Sequence, residues 1–210
     1  MTTRAAAIKS GYTTGARTLA SRSVLGLART RITPNALTAS GVTLCFAASV
    51  LVLFEARNHF LFYWLAAFVF VAGSLLDILD GALARAGGKS TPFGAYLDST
   101  TDRISEGFML TALAYLLARG HHPIFVAVVM AAMAGSFLVS YTRAKAESLG
   151  LRGDVGIGSR AERVVVITGA LVLAPWGVLP WALVLLACTA WITVAQRVLH
   201  VRTQLKKGDD

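Results

Sequence analysis

The chain has 210 residues, of which 55% are apolar and only 15% are charged, and its mean hydropathy is +0.62. This composition excludes an ordinary soluble domain and a disordered chain, and it is typical of a single membrane domain. The formal net charge is +9. Because the basic residues border apolar segments, we expect them to contact anionic lipid headgroups, with no nucleic acid as a partner.

Residues 1–32 predict a cytoplasmic basic segment that contains an amphipathic juxtamembrane helix. One lysine and five arginines are spread over this segment, which carries no acidic residue. From Thr14 onward, small and aliphatic side chains alternate with arginines, a pattern typical of a helix that lies on an anionic membrane surface. A solvated tail is the alternative.

Residues 33–205 predict an all-α integral membrane domain with six transmembrane helices, and residues 206–210 a short C-terminal tail. Thr33 is the expected N-cap of the first helix and Pro34 its first residue, and the uncharged run then reaches Phe54. Polar loops delimit the next three apolar segments, which start near Phe60, after Pro92 and at Pro123.

The last apolar run, residues 164–196, is too long for one membrane span and just long enough for two at about 1.5 Å per residue. Pro175, Gly177 and Pro180 predict the break between its two helices. Of the 20 lysines and arginines, we expect only Arg57 and Arg119 on the outer side. The positive-inside rule then predicts a multi-pass protein of the cell membrane with both termini in the cytoplasm.

Four aspartates carry the strongest chemical signal in the chain, namely Asp77, Asp80, Asp98 and Asp102. Their i,i+3 and i,i+4 spacings place each pair on one face of its helix. A turn with two glycines and a lysine separates the pairs, so that antiparallel helices would bring the carboxylates together at one membrane surface. An aspartate inside a membrane is unfavourable by about 2.5–3.5 kcal/mol. Since hard divalent ions prefer carboxylate oxygens, the stretch predicts a metal site that clamps phosphate oxygens at the cytoplasmic face.

Three neighbouring residues suit a phosphorylated substrate. Gly81 would let the substrate approach the backbone, Ala84 keeps the next helical turn small, and Arg85 supplies a planar cation for a phosphate. An ion-coupled membrane transporter is the rival interpretation, because acids inside membranes also form ion pathways. Against it, the acids cluster at one surface and no polar residues continue toward the other side.

The spacing D-x2-D-G-x2-A-R-x8-G-x3-D-x3-D over residues 77–102 resembles the motif of the CDP-alcohol phosphotransferases, integral membrane enzymes of phospholipid synthesis. The six-helix pattern and the Pro34-Asn35-x-x-Thr38 start of the first span extend the resemblance. It implies a homodimer, two Mg²⁺ or Mn²⁺ ions held by the four aspartates, and Asp102 as general base toward the acceptor hydroxyl. It also implies contacts to a CDP-linked lipid from Asn35, Thr38, Gly81, Ala84, Arg85 and Thr91.

A cluster of basic residues after the fourth span suits an acceptor that is itself a phosphate monoester. The segments Ser140–Glu147 and Arg160–Arg163 resemble those of phosphatidylinositol-phosphate synthases, which join inositol 1-phosphate to CDP-diacylglycerol and release CMP. This resemblance implies an acceptor pocket formed by Ser140, Arg143, Lys145, Arg160, Arg163 and Arg197. Glycerol 3-phosphate or another phosphorylated alcohol is the alternative acceptor, because Arg143 and Lys145 exchange places relative to the expected pattern.

Glu106 is a further acid, one helical turn beyond Asp102. Two roles fit its position: it tunes the ionisation of Asp102, or it pairs with an arginine in the helix interior. We therefore leave Glu106 outside the predicted site.

Overall fold

The computed structural model describes residues 33–86, 88 and 91–208 of the chain. The amphipathic helix predicted for residues 1–32 lies outside them. The described residues form six α-helices and two 3₁₀ turns and contain no strand. The predicted all-α class is therefore confirmed.

The helices are labelled here in chain order. They are α1 (Pro34–Val52), α2 (His59–Ala86), α3 (Pro92–Arg119), α4 (Pro123–Ser148), α5 (Arg160–Leu173) and α6 (Leu179–Gly208). The 3₁₀ turns are Glu55–Arg57 and Ala174–Trp176. The second turn lies at the predicted break in the last apolar run, and Gly177 ends it with a φ of 76°, which glycine adopts without strain.

Three helices begin at a proline, namely Pro34, Pro92 and Pro123. Proline suits this position because its missing N–H would have had no partner inside the helix. The Thr33 hydroxyl accepts a hydrogen bond from the Ala36 N–H at 3.3 Å, which confirms the predicted N-cap of α1. The Thr91 hydroxyl caps α3 in the same way and accepts from the Gly94 N–H at 3.0 Å.

Four of the described helices are long and apolar enough to cross a membrane, and they comprise Pro34–Val52, His59–Arg85, Pro123–Ser148 and Leu179–Lys206. The two other helices do not meet both conditions. The helix α3 carries Asp98, Asp102, Arg103 and Glu106, and α5 has only 14 residues. A multi-pass membrane protein fits these helices, but the predicted count of six spans is not confirmed.

The described residues divide into two compact units, one formed by residues 33–43 and 72–102 and the other by residues 44–71 and 103–208. In the first unit, α1 and α2 approach closely at two glycines. A Cβ atom on Gly41 would lie 2.9 Å from the carbonyl oxygen of Gly73 and 3.6 Å from Cβ of Asp77. Only a glycine at position 41 therefore fits the observed packing beside the first aspartate.

The second unit contains the larger apolar core. Its fully buried side chains include Phe70, Met109, Leu113, Ile167, Leu171 and Leu183. The helix α6 packs against α4 and α5. The Trp191 indole N–H donates to the carbonyl oxygen of Ala131 at 3.0 Å, and Gly135 makes room for the same tryptophan. These contacts hold together the helices that carry the predicted acceptor residues.

Candidate active site

Three of the four predicted metal ligands come together in the first unit. Carboxylate oxygens of Asp77 on α2 and of Asp98 and Asp102 on α3 lie within 4.8 Å of one another. Asp77 is buried, and Asp98 and Asp102 are half-buried. Like charges this close repel each other strongly away from water, so the cluster favours binding of a cation. A hard divalent ion with oxygen ligands fits this set of donors.

Asp80 lies outside this group of three carboxylates. Its carboxylate accepts a hydrogen bond from the Thr38 hydroxyl on α1, and the two residues are only 3% and 6% exposed. The negative charges of Asp77 and Asp98 still act on it. The fourth predicted ligand is thus a near neighbour of the cluster, and a residue of another helix orients it.

A cavity of about 380 Å³ lies in the first unit, and Asp80 and Asp98 are part of its lining. All the residues that the resemblance assigns to the CDP-linked lipid also line it, namely Asn35, Thr38, Gly81, Ala84, Arg85 and Thr91. Before the structure, only the family resemblance linked these residues. In the structure they line one cavity together with two of the motif carboxylates.

The N-termini of two helices meet at this cavity. Its lining includes both capping threonines, Thr33 of α1 and Thr91 of α3, and the residues that follow them, among them Pro34, Gly94 and Ala95. The N–H groups of a first helical turn and the positive end of the helix dipole favour an anion. With the Arg85 guanidinium, they give the cavity positive groups for phosphate oxygens beside its carboxylates.

The aspartate motif did not predict four of these lining residues, namely Thr33, Pro34, Gly94 and Ala95. The repeated Thr-Pro pair at residues 33–34 and 91–92 was the available signal, because each pair marks a helix N-terminus.

Gly81 has a further role beside Arg85. A Cβ atom at Gly81 would lie 3.3 Å from Nη1 and 3.7 Å from Nη2 of Arg85. A glycine here lets the guanidinium lie against the preceding turn of its own helix. This adds to the predicted reason for the glycine, which was close approach of a substrate to the backbone.

The predicted acceptor residues belong to the second unit. The positive charges of Arg143 and Arg163 both act on Arg197. Arg143 is exposed, and its Nε donates to Glu147 at 2.8 Å. Among the remaining three, Ser140 is half-buried and Lys145 exposed on α4, and Arg160 is the half-buried first residue of α5.

Arg163 is only 4% exposed, and protein groups hold its guanidinium. Its Nε and Nη2 donate to the two carboxylate oxygens of Glu106 at 2.7 and 2.9 Å, and Nη1 donates to the Gly158 carbonyl oxygen at 2.9 Å. The second expectation for Glu106, a pair with an arginine, is confirmed. Since arginine has five N–H donors, these three contacts leave two for a ligand.

Arg197 is buried in a similar way, with 5% exposure. Its Nε donates to the Val155 carbonyl oxygen at 2.9 Å, and its Nη1 donates to the carbonyl oxygen of Val139. The resemblance implies that Arg163 and Arg197 bind the acceptor. In the structure, each donates a hydrogen bond to a backbone carbonyl of the loop between α4 and α5.

Several relatives match most of the chain, and two of them are described here. The phosphatidylinositol phosphate synthase of Mycobacteroides abscessus is 37% identical over 182 residues, which cover 84% of this chain and 80% of the relative. The archaetidylinositol phosphate synthase of Pyrococcus horikoshii is 36% identical over 184 residues, covering 87% of this chain and 90% of the relative.

The fold is similar to that of the Mycobacterium tuberculosis phosphatidylinositol phosphate synthase. Its crystal structure with CDP-DAG bound matches with a TM-score of 0.76 and 31% identity, covering 87% of this chain and 92% of that one. The complex with manganese and citrate gives a TM-score of 0.75 and 34% identity, with coverages of 88% and 89%.

The family model described as CDP-alcohol phosphatidyltransferase matches residues 31–196, a range that contains all four motif aspartates and most of the six helices. The expected resemblance is confirmed, and this chain belongs to the CDP-alcohol phosphatidyltransferase family.

Proposed function

We propose that this protein transfers a phosphatidyl group from CDP-diacylglycerol to a hydroxyl of inositol 1-phosphate and releases CMP. The cavity of about 380 Å³ carries the proposal, because the residues expected to contact the CDP-lipid line it together with Asp80 and Asp98. The names of the relatives suggest the two substrates. One relative is a phosphatidylinositol phosphate synthase, and the crystal structure of a similar protein contains bound CDP-DAG. The archaeal relative is also named for an inositol phosphate product.

The reaction exchanges a phosphoanhydride bond for a phosphoester bond. The acceptor hydroxyl oxygen attacks the phosphorus that carries the diacylglycerol, and a new P–O bond forms. The bond from that phosphorus to the bridging oxygen breaks, and this oxygen leaves with CMP. Asp102 accepts the hydroxyl proton as general base.

Asp77, Asp80, Asp98 and Asp102 would hold two divalent ions, Mg²⁺ or Mn²⁺, and the three oxygens within 4.8 Å of one another fit such ions. When bound, the ions neutralise the charge of the diphosphate. The chain supplies the other positive groups. Arg85 and the N-termini of α1 and α3 bind the remaining phosphate oxygens, and the Thr38 hydroxyl keeps Asp80 in place.

The acceptor binds through its phosphate group. Arg163 offers its two remaining N–H donors, and Arg143 and Arg197 lie close enough to add positive charge. Ser140, Lys145 and Arg160 complete the proposed pocket. Several cations suit a phosphate monoester dianion, whereas an uncharged or zwitterionic acceptor would need fewer.

We also propose six membrane spans, with both termini and the active site at the cytoplasmic face of the cell membrane, and a homodimer. The helix α3 has 28 residues and is therefore about 42 Å long, enough to cross a hydrocarbon layer of about 30 Å. Cysteine accessibility at Arg57→Cys and Lys206→Cys tests the orientation. Chemical cross-linking in native membranes tests the homodimer.

Purified protein with labelled CDP-diacylglycerol, Mg²⁺ and a panel of acceptors tests the reaction. The panel contains inositol 1-phosphate, inositol, glycerol 3-phosphate and serine. CMP release with inositol 1-phosphate alone supports the proposal. CMP release with glycerol 3-phosphate alone would show that this compound, and not inositol 1-phosphate, is the acceptor. If folded protein releases no CMP with any acceptor, the proposed transferase activity is wrong.

A further inference from the structure

We infer that Glu106 is a positioning residue for the acceptor, which acts through Arg163 and the loop at residues 151–158. The acceptor's identity in this inference rests on the proposed function. Glu106 fixes the guanidinium of Arg163, and Arg163 in turn fixes the carbonyl of Gly158. The affinity for a phosphorylated acceptor therefore depends on an acid that need not touch it.

The geometry of the pair specifies one orientation of the arginine. Both carboxylate oxygens of Glu106 accept hydrogen bonds from Arg163, at 2.7 and 2.9 Å, so the two planar groups lie fork to fork. The two residues are 8% and 4% exposed. Burying such a pair adds little net stability, because desolvation opposes the attraction. What the pair does provide is a fixed plane for the two N–H donors that Arg163 keeps.

The same arginine holds the loop between α4 and α5. Gly158 is bound on both sides, since its carbonyl oxygen accepts from Arg163 and its N–H donates to the Thr193 hydroxyl at 2.8 Å. A Cβ atom at Gly158 would lie 2.8 Å from that hydroxyl oxygen and 3.1 Å from the carbonyl oxygen of Thr189. The loop therefore has one closely fitted position against α6.

Arg197 secures the loop from α6. It donates to the carbonyl oxygen of Val155 in the loop and to that of Val139, next to Ser140 on α4. One network of hydrogen bonds thus runs from Glu106 on α3 through α5 and the loop to α6 and α4. Three of the proposed acceptor residues, Ser140, Arg163 and Arg197, belong to it or adjoin it.

The Glu106→Gln variant tests this role, with Glu55→Gln as the matched control. Glu55 also pairs with an arginine, Arg119, at 2.6 Å, but it lies in the first 3₁₀ turn. We expect Glu106→Gln to raise the KM for inositol 1-phosphate about tenfold or more, and the KM for CDP-diacylglycerol by less than about twofold. Amide hydrogen exchange at residues 151–158 should become faster. The control should change none of these.

A charge exchange separates the hydrogen bonds of Arg163 from the charge balance of the pair. Glu106→Arg combined with Arg163→Glu restores neutrality inside the protein, but a carboxylate at position 163 cannot donate to the Gly158 carbonyl oxygen. The acceptor KM should stay raised even where the melting temperature recovers. Recovery of the acceptor KM to the wild-type value would overturn the inference, since the pair would then be structural only.

Other outcomes are equally decisive. Unchanged acceptor KM and unchanged amide exchange in Glu106→Gln would overturn the inference, and so would an equal rise of both KM values. If Glu106→Gln does not fold, Glu106→Asp keeps the charge and shortens the side chain, and its acceptor KM should still rise. Wild-type protein that releases no CMP with inositol 1-phosphate would refute the proposed acceptor, whereas the amide exchange tests the link from Glu106 to the loop independently.

Discussion

The Thr38 hydroxyl donates a hydrogen bond to the carboxylate of Asp80, and both side chains are buried and line one cavity. The bond joins the first turns of α1 to the aspartate motif on α2. A residue forty-two positions earlier in the chain therefore orients one of the four acids of the motif.

Replacing Thr38 tests this bond. Thr38→Val keeps the shape of the side chain but removes the donor, so a buried carboxylate loses its partner and the free energy of unfolding should fall by about 1–3 kcal/mol. Turnover should fall as well. Thr38→Ser keeps the hydroxyl and should retain most of both. Thermal unfolding in detergent and CMP release measure the two effects, and equal behaviour of the valine and serine variants would contradict the assigned role.

Asp102→Asn tests the general base. An amide cannot accept the acceptor's proton, so turnover should be abolished while binding of CDP-diacylglycerol largely persists. Glu55→Gln is the matched control, because this carboxylate belongs to the first 3₁₀ turn and to neither proposed binding site. Labelled-lipid binding and CMP release are measured on the same preparations. Retained turnover in Asp102→Asn would remove this residue from the proposed role.

Arg85→Ala should act on the lipid substrate and not on the acceptor. Arg85 lines the cavity, and its loss removes a planar cation for phosphate oxygens, so the KM for CDP-diacylglycerol should rise about tenfold or more. The KM for inositol 1-phosphate should change little. Arg57→Ala, in the first 3₁₀ turn, is the control. Equal effects of Arg85→Ala on both KM values would contradict the proposal that Arg85 binds the lipid substrate while other basic residues bind the acceptor.

Gly41→Ala tests the close approach of α1 and α2. The new Cβ would lie 2.9 Å from the Gly73 carbonyl oxygen, so the backbone beside Asp77 must shift, and we expect a loss of about 1–3 kcal/mol in stability together with lower turnover. Gly169→Ala is the control, because a Cβ there would meet no described atom within 4 Å apart from the neighbouring backbone of its own helix, and it should be neutral or stabilising. Similar melting temperatures for both variants would contradict the packing argument.

The helix boundaries were largely readable from the sequence because local chemistry sets them. Pro34, Pro92 and Pro123 each start a helix where predicted, and Pro175 and Gly177 mark the break before α6. The number of membrane spans was less readable. The polar residues of α3 and the shortness of α5 depend on what surrounds these helices, which hydropathy alone does not reveal.

The candidate site likewise has features that could be predicted from the sequence and features that could not. The spacing of the motif predicted that all four aspartates would cluster, since i,i+3 and i,i+4 residues share a helix face and a turn reverses the chain. Three of them do so, and Asp80 lies beside the group. Contacts between distant positions were not predictable. The bond from Thr38 to Asp80, the packing of Gly41 on Gly73 and the burial of Arg163 against Glu106 depend on how the helices pack together.

We propose that the clustered aspartates hold divalent ions that contact the diphosphate of a CDP-lipid. Electron–nuclear double resonance on protein loaded with Mn²⁺ and CDP-diacylglycerol tests it most directly, because a phosphate oxygen bound to Mn²⁺ gives a resolved coupling to ³¹P. We predict this coupling in the wild-type protein and its loss in Asp98→Asn. Tight Mn²⁺ binding without ³¹P coupling, or a coupling that Asp98→Asn leaves unchanged, would contradict the account.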